Sequence, residues 1–434
     1  MNRPRQLTVL FVPESAYGPT NQCIGLGDIL RRRGHRVVFA AEASWRGKLA
    51  ALGFEEDLVD LAPPDQTELD AGQFWKDFIR ETSPEFRNPT VDQLASFMVP
   101  TWQALVDGAK YCEPQLKGVI ARAGPDVIVE DNVIAFPALL TADAPFVRIV
   151  SCNPLEIRGP QIPPTYSGLP SDDSSQWAAF HAEYDRTHRP LWEGFNAWVV
   201  EQGAVPLPDL EFIPPSEHAN LYVYPDEVDY TGVRPLDATW HRMDSSVRET
   251  DDDYELPDRV RDRPDGTALV YLSLGSLGSA DVELMKRLVD VLGRTTHRYI
   301  VSKGPQQAEF DLADNMVGAE FLPQTTVIAQ VDAVITHGGN NTTTECLHFG
   351  KPMILLPLFW DQYDNAQRMD ETGFGVRLPT YTFSEEQLRA ALARVLDVDV
   401  RGKAERVGAQ IRTRDGLRRG AHVIEQIARA RAGG

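Results

Sequence analysis

Four cysteines in 434 residues is a low count, and Cys23, Cys112, Cys152 and Cys346 are too far apart to form a CxxC pair or a Cys/His cluster. Their spacing argues against a zinc site or a disulfide framework. Positive charge is also scarce. Lys and Arg number 43 against 63 Asp and Glu, for a net charge of −20. Such a surface repels phosphate backbones and anionic membranes, so neither nucleic acid nor a membrane is expected as a partner. No apolar run approaches the roughly 18 residues needed to span a bilayer. The apolar stretch Leu7–Val12, after Arg3 and Arg5, is too short for a signal h-region, and no small-residue cleavage site follows it. The expectation is a reduced, cytoplasmic protein without membrane insertion.

The chain is long enough for two domains, each with its own core. Leu7–Val12 reads as a buried strand, Asn21–Gly34 as a helix stopped by its glycine, and Arg36–Ala41 as a second strand, a βαβ opening. Asp126–Asp131 and Phe146–Cys152 repeat the strand pattern. Pro154–Ser175 reads as irregular. Trp177–Gln202 has helical periodicity with aromatics at Trp177, Phe180, Tyr184, Trp192, Phe195 and Trp198. Such a stripe fits a core face, with acceptor binding as the alternative, since pockets favour aromatics. Asp244–Gly266 is rich in charge and proline without apolar periodicity, the pattern of a linker. A second α/β unit starts at Thr267, followed by helices at Ser384–Leu396 and Lys403–Arg431, the latter with possible breaks at Gly416 and Gly420.

The run Thr336–Gln362, THGGNNTTTECLHFGKPMILLPLFWDQ, carries the most chemistry. Ala333–Thr336 reads as a strand, His337–Asn340 as a glycine turn and Asn341–Phe349 as a helix. Pro352–Phe359 reads as the next strand, with Trp360, Asp361 and Gln362 in its loop. Loops at the carboxyl ends of parallel strands are where open α/β sheets bind ligands. Gly338 and Gly339 allow backbone N–H groups close to an anion, and the helix start adds its positive end. His337, Asn341 and Thr342 supply further donors. Glu345, one helical turn beyond Asn341, can accept both hydroxyls of a ribose.

With its flanks, this run resembles the nucleotide-sugar signature of the family 1, UDP-dependent glycosyltransferases, which include bacterial macrolide and natural-product enzymes and the UDP-glucuronosyltransferases. The signature, H-x-G-x-N-[ST]-x-x-E then P-x-x-x-D-Q, is matched by His337, Gly339, Asn341, Thr342, Glu345, Pro357, Asp361 and Gln362. Phe321-Leu322-Pro323-Gln324 resembles the family's W-x-P-Q segment, with the smaller Phe321 ring where the base would stack. Val270–Ser276 resembles the strand and Gly-Ser turn that open the donor domain. The resemblance implies the GT-B fold, an α/β architecture of two facing Rossmann-like domains with a C-terminal helix crossing back. Its expected boundaries are an acceptor domain at 1–243, a linker at 244–266, a nucleotide-sugar domain at 267–415 and a crossing helix at 416–434. It further implies that Ser276, Phe321, Gln324, His337, Gly339, Asn341, Thr342, Glu345, Trp360, Asp361 and Gln362 bind the donor. The implied chemistry is inverting transfer of a hexose, glucose first, from a UDP-sugar to a small hydrophobic natural product or xenobiotic. A deoxysugar on dTDP is the alternative donor. No cofactor or metal is implied, and a monomer or homodimer is expected.

One part of the family pattern is missing. The family places a catalytic His just after the first strand, where this chain has Pro19 in Tyr17-Gly18-Pro19-Thr20-Asn21, and residues 1–34 contain no His. His35 falls past the helix and reads as a capping residue. The partner Asp has a match in Asp131. Three accounts compete: Asp131 or Glu14 acts as the base, the acceptor is an amine that needs no prior deprotonation, or the protein binds the donor without transfer. A UDP-sugar epimerase of the GT-B fold is a further alternative.

Overall fold

The computed structural model describes residues 5–14, 16–62, 81–249, 252–279 and 281–432. Arg3, linker positions 250–251 and the Ser276 side chain lie outside the described residues. Two all-parallel sheets dominate. The first has the order β3-β2-β1-β4-β5-β6-β7, with β1 at Thr8–Pro13, β2 at Arg36–Phe39, β3 at Glu55–Glu56, β4 at Val127–Asp131, β5 at Phe146–Val150, β6 at Ala219–Tyr222 and β7 at Trp240–Arg242. The second has the order β10-β9-β8-β11-β12-β13, with β8 at Leu269–Ser273, β9 at Arg298–Ser302, β10 at Met316–Ala319, β11 at Ala333–Thr336, β12 at Met353–Leu355 and β13 at Gly375–Arg377. Strand order reverses between β1 and β4 in one sheet and between β8 and β11 in the other. A crevice opens at the carboxyl ends at each reversal, because the flanking connections leave on opposite faces.

Strands covered on both faces need continuous apolar runs, and β1 shows why. Val9 and Phe11 pack with Ile24, Leu26 and Leu30 of the helix Tyr17–Arg32 and with Ala421, Ile424 and Ala428 of the helix Gly416–Ala432. Leu10 and Val12 face the other way, towards Trp102, Val106 and Cys112 of the helix Val99–Ala123. The aromatics Phe180, Tyr184 and Phe195 of the helix Trp177–Glu201 are buried in that same core. Among the described residues, no helix is long and apolar enough to cross a membrane.

Several expectations shift. The first helix begins at Tyr17, not Asn21, so Tyr17–Asn21 is its first turn; Pro19 sits where a missing N–H leaves no helical bond unmade. His35 does cap the first helix, its N–H donating to the Leu30 carbonyl at 3.1 Å, but its ring reaches further. It is buried, takes the Leu7 N–H on Nδ1 at 3.2 Å and meets Glu425 Oε1 through Nε2 at 2.8 Å, which ties β1 to the helix Gly416–Ala432. The strand expected at Pro352–Phe359 is only Met353–Leu355. The helix expected at Lys403–Arg431 is two, Val398–Arg412 and Gly416–Ala432, broken before Gly416. Gly420 makes no break. The segment Asp244–Gly266 contains a helical turn, Asp258–Arg261.

A Cβ built on Gly416 would overlap the Met243 carbonyl oxygen, so this helix sits closer to the end of β7 than any side chain permits. Gly416→Ala is therefore expected to destabilise the protein by about 1–3 kcal/mol through overpacking. Thermal unfolding reads this directly, and an unchanged Tm would show that the close approach does not persist in solution.

Candidate active site

The loop after β11 carries most of the expected donor contacts. Gly338 has φ +89°, a left-handed conformation that favours glycine, and a Cβ there would lie 3.1 Å from the Gln362 carbonyl oxygen. The His337 ring lies between two residues that lack a Cβ. One added at Gly275 would meet Cε1 at 2.8 Å, and one at Gly339 would meet Nε2 at 2.6 Å. Burial in this slot pulls the imidazole down to about 4, against a backbone hydrogen bond at Ser273 that favours its charged form. His337 is therefore a neutral hydrogen-bonding group near pH 7. The helix Asn340–Phe349 starts directly after Gly339 and presents its N-terminal N–H groups to the same crevice. Gly275–Gly278, after β8, forms a helical turn beside it and includes the backbone of Ser276.

Further along that helix, Thr342 and Glu345 are buried and share one donor. Gln324 Nε2 lies 3.1 Å from Thr342 Oγ1 and 2.7 Å from Glu345 Oε2. Arg248, unremarked in the sequence, donates to Glu345 Oε1 at 3.3 Å. Phe321 is 56% exposed, an open ring face where a base could stack.

Other expected donor residues are engaged by the protein itself. Asn341 Nδ2 donates to the Gly18 carbonyl of the first helix at 2.8 Å. Asp361 Oδ2 accepts the Asn153 N–H at 2.8 Å, and burial raises its carboxyl to about 7. Gln362 Oε1 accepts the N–H groups of Leu358 at 3.0 Å and Phe359 at 3.3 Å. Trp360 has φ +59°, an uncommon conformation for a bulky residue, and its ring packs at a tilt against Tyr166 and Trp102 with centroids 4.8 and 5.3 Å away.

Across the crevice a cavity of about 650 Å³ opens at the carboxyl ends of β1, β2 and β4. Val12, Leu61, Leu105, Ile134 and Phe136 line it, with Glu14, Asn132 and Glu42 as polar groups. Its size and mostly apolar wall suit a drug-sized organic molecule. The aromatic helix Trp177–Glu201 contributes nothing to this cavity.

Residues 259–404 match the model of the UDP-glucoronosyl and UDP-glucosyl transferase family. The oleandomycin glycosyltransferase of Streptomyces antibioticus is 26% identical, with 96% of this chain and 90% of that protein covered. A sterol 3-beta-glucosyltransferase of Yarrowia lipolytica is 25% identical over 92% of this chain, which spans only 27% of that longer protein. The solved glycosyltransferase of kitacinnamycin has the same fold, with TM-score 0.73 at 21% identity, covering 98% of this chain and 100% of that one. The chain has the GT-B fold of the solved glycosyltransferases, and it resembles the family 1 enzymes, with the family-model match confined to its second half.

Within this GT-B frame the two candidate bases separate by access. Asp131 is 2% exposed and faces the first helix; Ser151 Oγ donates to its Oδ1 at 2.8 Å, and Oδ2 has no hydrogen-bond partner among the described residues. Burial pushes its carboxyl well above the usual range. Glu14 sits one strand over, its N–H bonded to the Asp131 carbonyl at 2.7 Å, and it lines the cavity. Arg248, Asn153 and Asn340 escaped sequence reasoning. No local pattern marks them, because their partners lie in the other half of the chain or on a distant helix.

His337 also makes a stability prediction. An unfolded histidine takes its proton near pH 6.5, this one near 4. Between those values the unfolded chain binds the extra proton, so His337 lowers stability as pH falls through that window. His337→Gln removes the effect. Urea midpoints at pH 7 and pH 5 should show the variant losing less stability on acidification, by about 1–2 kcal/mol. Parallel losses would mean that the imidazole is not held neutral.

Proposed function

We propose that the protein moves a hexose, glucose first, from a UDP-sugar to a hydroxyl or amine of a small hydrophobic natural product or xenobiotic, with inversion at the anomeric carbon. The observation that carries this reading is the meeting of the two crevices. Asn341, in the first turn of the helix after the β11 loop, bonds Gly18, and Glu14 at the cavity mouth lies four residues before Gly18. A diphosphate cradled by Gly338, Gly339 and His337 would thus present its sugar towards the cavity.

The leaving diphosphate gains charge as the anomeric C–O bond breaks. Preorganised neutral donors and the helix start oppose that charge without reorganising. The acceptor oxygen forms the new bond to the anomeric carbon, and its proton passes to Glu14. A carboxylate base suits a phenol better than an alkyl alcohol. An aniline attacks with its lone pair and releases its proton afterwards. Asp361 and Gln362 would orient the sugar hydroxyls after exchanging their present partners. In this reading no metal takes part, and transfer is expected to proceed at the same rate in excess EDTA; a chelator-sensitive rate would remove that element.

Mass spectrometry of reactions containing UDP-glucose and matched phenols, alcohols and anilines tests the whole proposal. A hexose adduct on the phenol is expected. Glu14→Gln should lower phenol transfer about 100-fold while leaving UDP affinity unchanged and aniline transfer much less affected. A Glu14→Gln enzyme with full phenol activity would exclude this base. A second reading, donor binding without turnover, draws on the protein contacts already made by Asp361 and Gln362. It predicts UDP binding with no adduct on any acceptor. An epimerase of the same fold would have no use for the acceptor cavity.

A further inference from the structure

The cavity across the crevice holds one amide whose direction is fixed by the backbone. Asn132 directly follows β4, is 8% exposed and lines the cavity. Its Oδ1 accepts the N–H groups of Val133 at 2.8 Å and Ile134 at 3.3 Å, a local Asx turn. Two donors facing one atom require the amide oxygen there, so the NH2 end points the other way. Among the described residues that Nδ2 has no hydrogen-bond partner, and it opens on the cavity. Other donors in the wall are few. The described lining residues include no Lys, Arg or His, Gln103 turns its Nε2 to Asp107 at 2.9 Å, and Tyr111, 38% exposed, stands nearer the solvent.

The place of this amide beside Glu14 gives it a use. β1 and β4 pair in parallel through Pro13 and Asp131, and the Glu14 N–H extends the ladder to the Asp131 carbonyl at 2.7 Å. Glu14 and Asn132 are therefore the next residues on neighbouring strands, with backbones about 5 Å apart, and both line the cavity. An acceptor whose hydroxyl meets Glu14 brings its adjacent atoms to the Asn132 NH2. Solvent in the cavity can accept from that NH2, but an apolar group that displaces the solvent leaves a nearly buried donor unpaired. An oxygen in the same place restores the bond. Sites built to hydrogen-bond a substrate group discriminate against analogues that lack it. We propose that Asn132 orients the acceptor, and that it selects phenols carrying an oxygen, as ether or carbonyl, on the carbon next to the reacting hydroxyl. The inference rests on the proposed use of this cavity for the acceptor, with Glu14 as the base.

Fluorescence titration of the full chain with 3-methoxy-2-naphthol and 3-ethyl-2-naphthol reads this choice without requiring transfer. The two compounds differ by an ether oxygen in place of a methylene. The unaltered protein is expected to bind the methoxy compound about tenfold more tightly. Asn132→Asp keeps the oxygen that holds the turn and puts a carboxylate oxygen where the donor was, so the preference should vanish or reverse. Asn132→Ser keeps a turn-bonding hydroxyl without the charge or the reach, and should lose the preference as well. UDP affinity should not move in either variant, since Asn132 lies outside the donor crevice. A variant ratio equal to that of the unaltered protein overturns the proposal, as does equal binding of the two naphthols before any substitution. Addition of UDP-glucose to the same pairs reports transfer separately. Absent adducts with the tenfold preference intact would remove the transferase reading and leave the role of Asn132 standing.

Discussion

The two halves are held together by a buried polar seam, and the geometry of both crevices depends on it. Asn340 Nδ2 donates to the carbonyls of Ser151 and Val223 at 2.8 and 3.0 Å. Asp364 accepts the N–H groups of Tyr166 and Gly168 at 2.6 and 2.8 Å, and Asn153 Nδ2 donates to Asn365 Oδ1 at 2.8 Å. Together with Asn341 and Asp361, these groups occupy the first turns of the helices after β11 and β12 or the residue just before. A buried polar group without a partner is costly, so sliding one half past the other would break several such bonds at once. Most of the partners are backbone atoms. The alignment therefore depends on the path of the first sheet's loops more than on their side chains.

The same helix start thus has two tasks. Its side chains fasten the halves, while its free N–H groups and the preceding glycines remain directed into the crevice. His337 fits this division. Squeezed between Gly275 and Gly339, it cannot hold a proton near neutral pH, so it contributes a hydrogen bond and no charge. Two pushed-up carboxyls stand close by, Asp361 near 7 and Asp364 near 8, both because burial disfavours the anion. Burial thus weakens the negative charge that these two carboxyls would otherwise place along the seam.

How much of this was legible in the sequence depends on the range of the cause. The strand Ala333–Thr336 and the helix after it emerged within a residue, because apolar runs and glycine placement are local signals. The α/β class followed from the alternation of such units. Boundaries failed where a local cue had two meanings. Pro19 read as part of a turn but occupies a helix's first turn, where proline is equally at home. His35 read as a cap, which its N–H is, but the partner of its ring, Glu425, lies 390 residues away and left no local sign. At the site, the residue types in the signature were visible, but their present partners were not. Arg248 meets Glu345 across 97 residues and Asn341 meets Gly18 across 323, and nothing in either neighbourhood announces the contact.

The helix Gly416–Ala432 lies against β4, β6 and β7 of the first sheet although the whole second sheet precedes it in the chain. Ala421, Ile424 and Ala428 complete a core that begins with Val9 and Phe11. Vectorial synthesis therefore finishes the two halves in the reverse of the order in which it starts them. While the ribosome is making the second sheet, one face of the first is still bare of part of its cover. Apolar surface exposed over that interval is prone to misassociation, a hazard of multidomain chains. The nascent protein has to be shielded for longest at the end that emerges first.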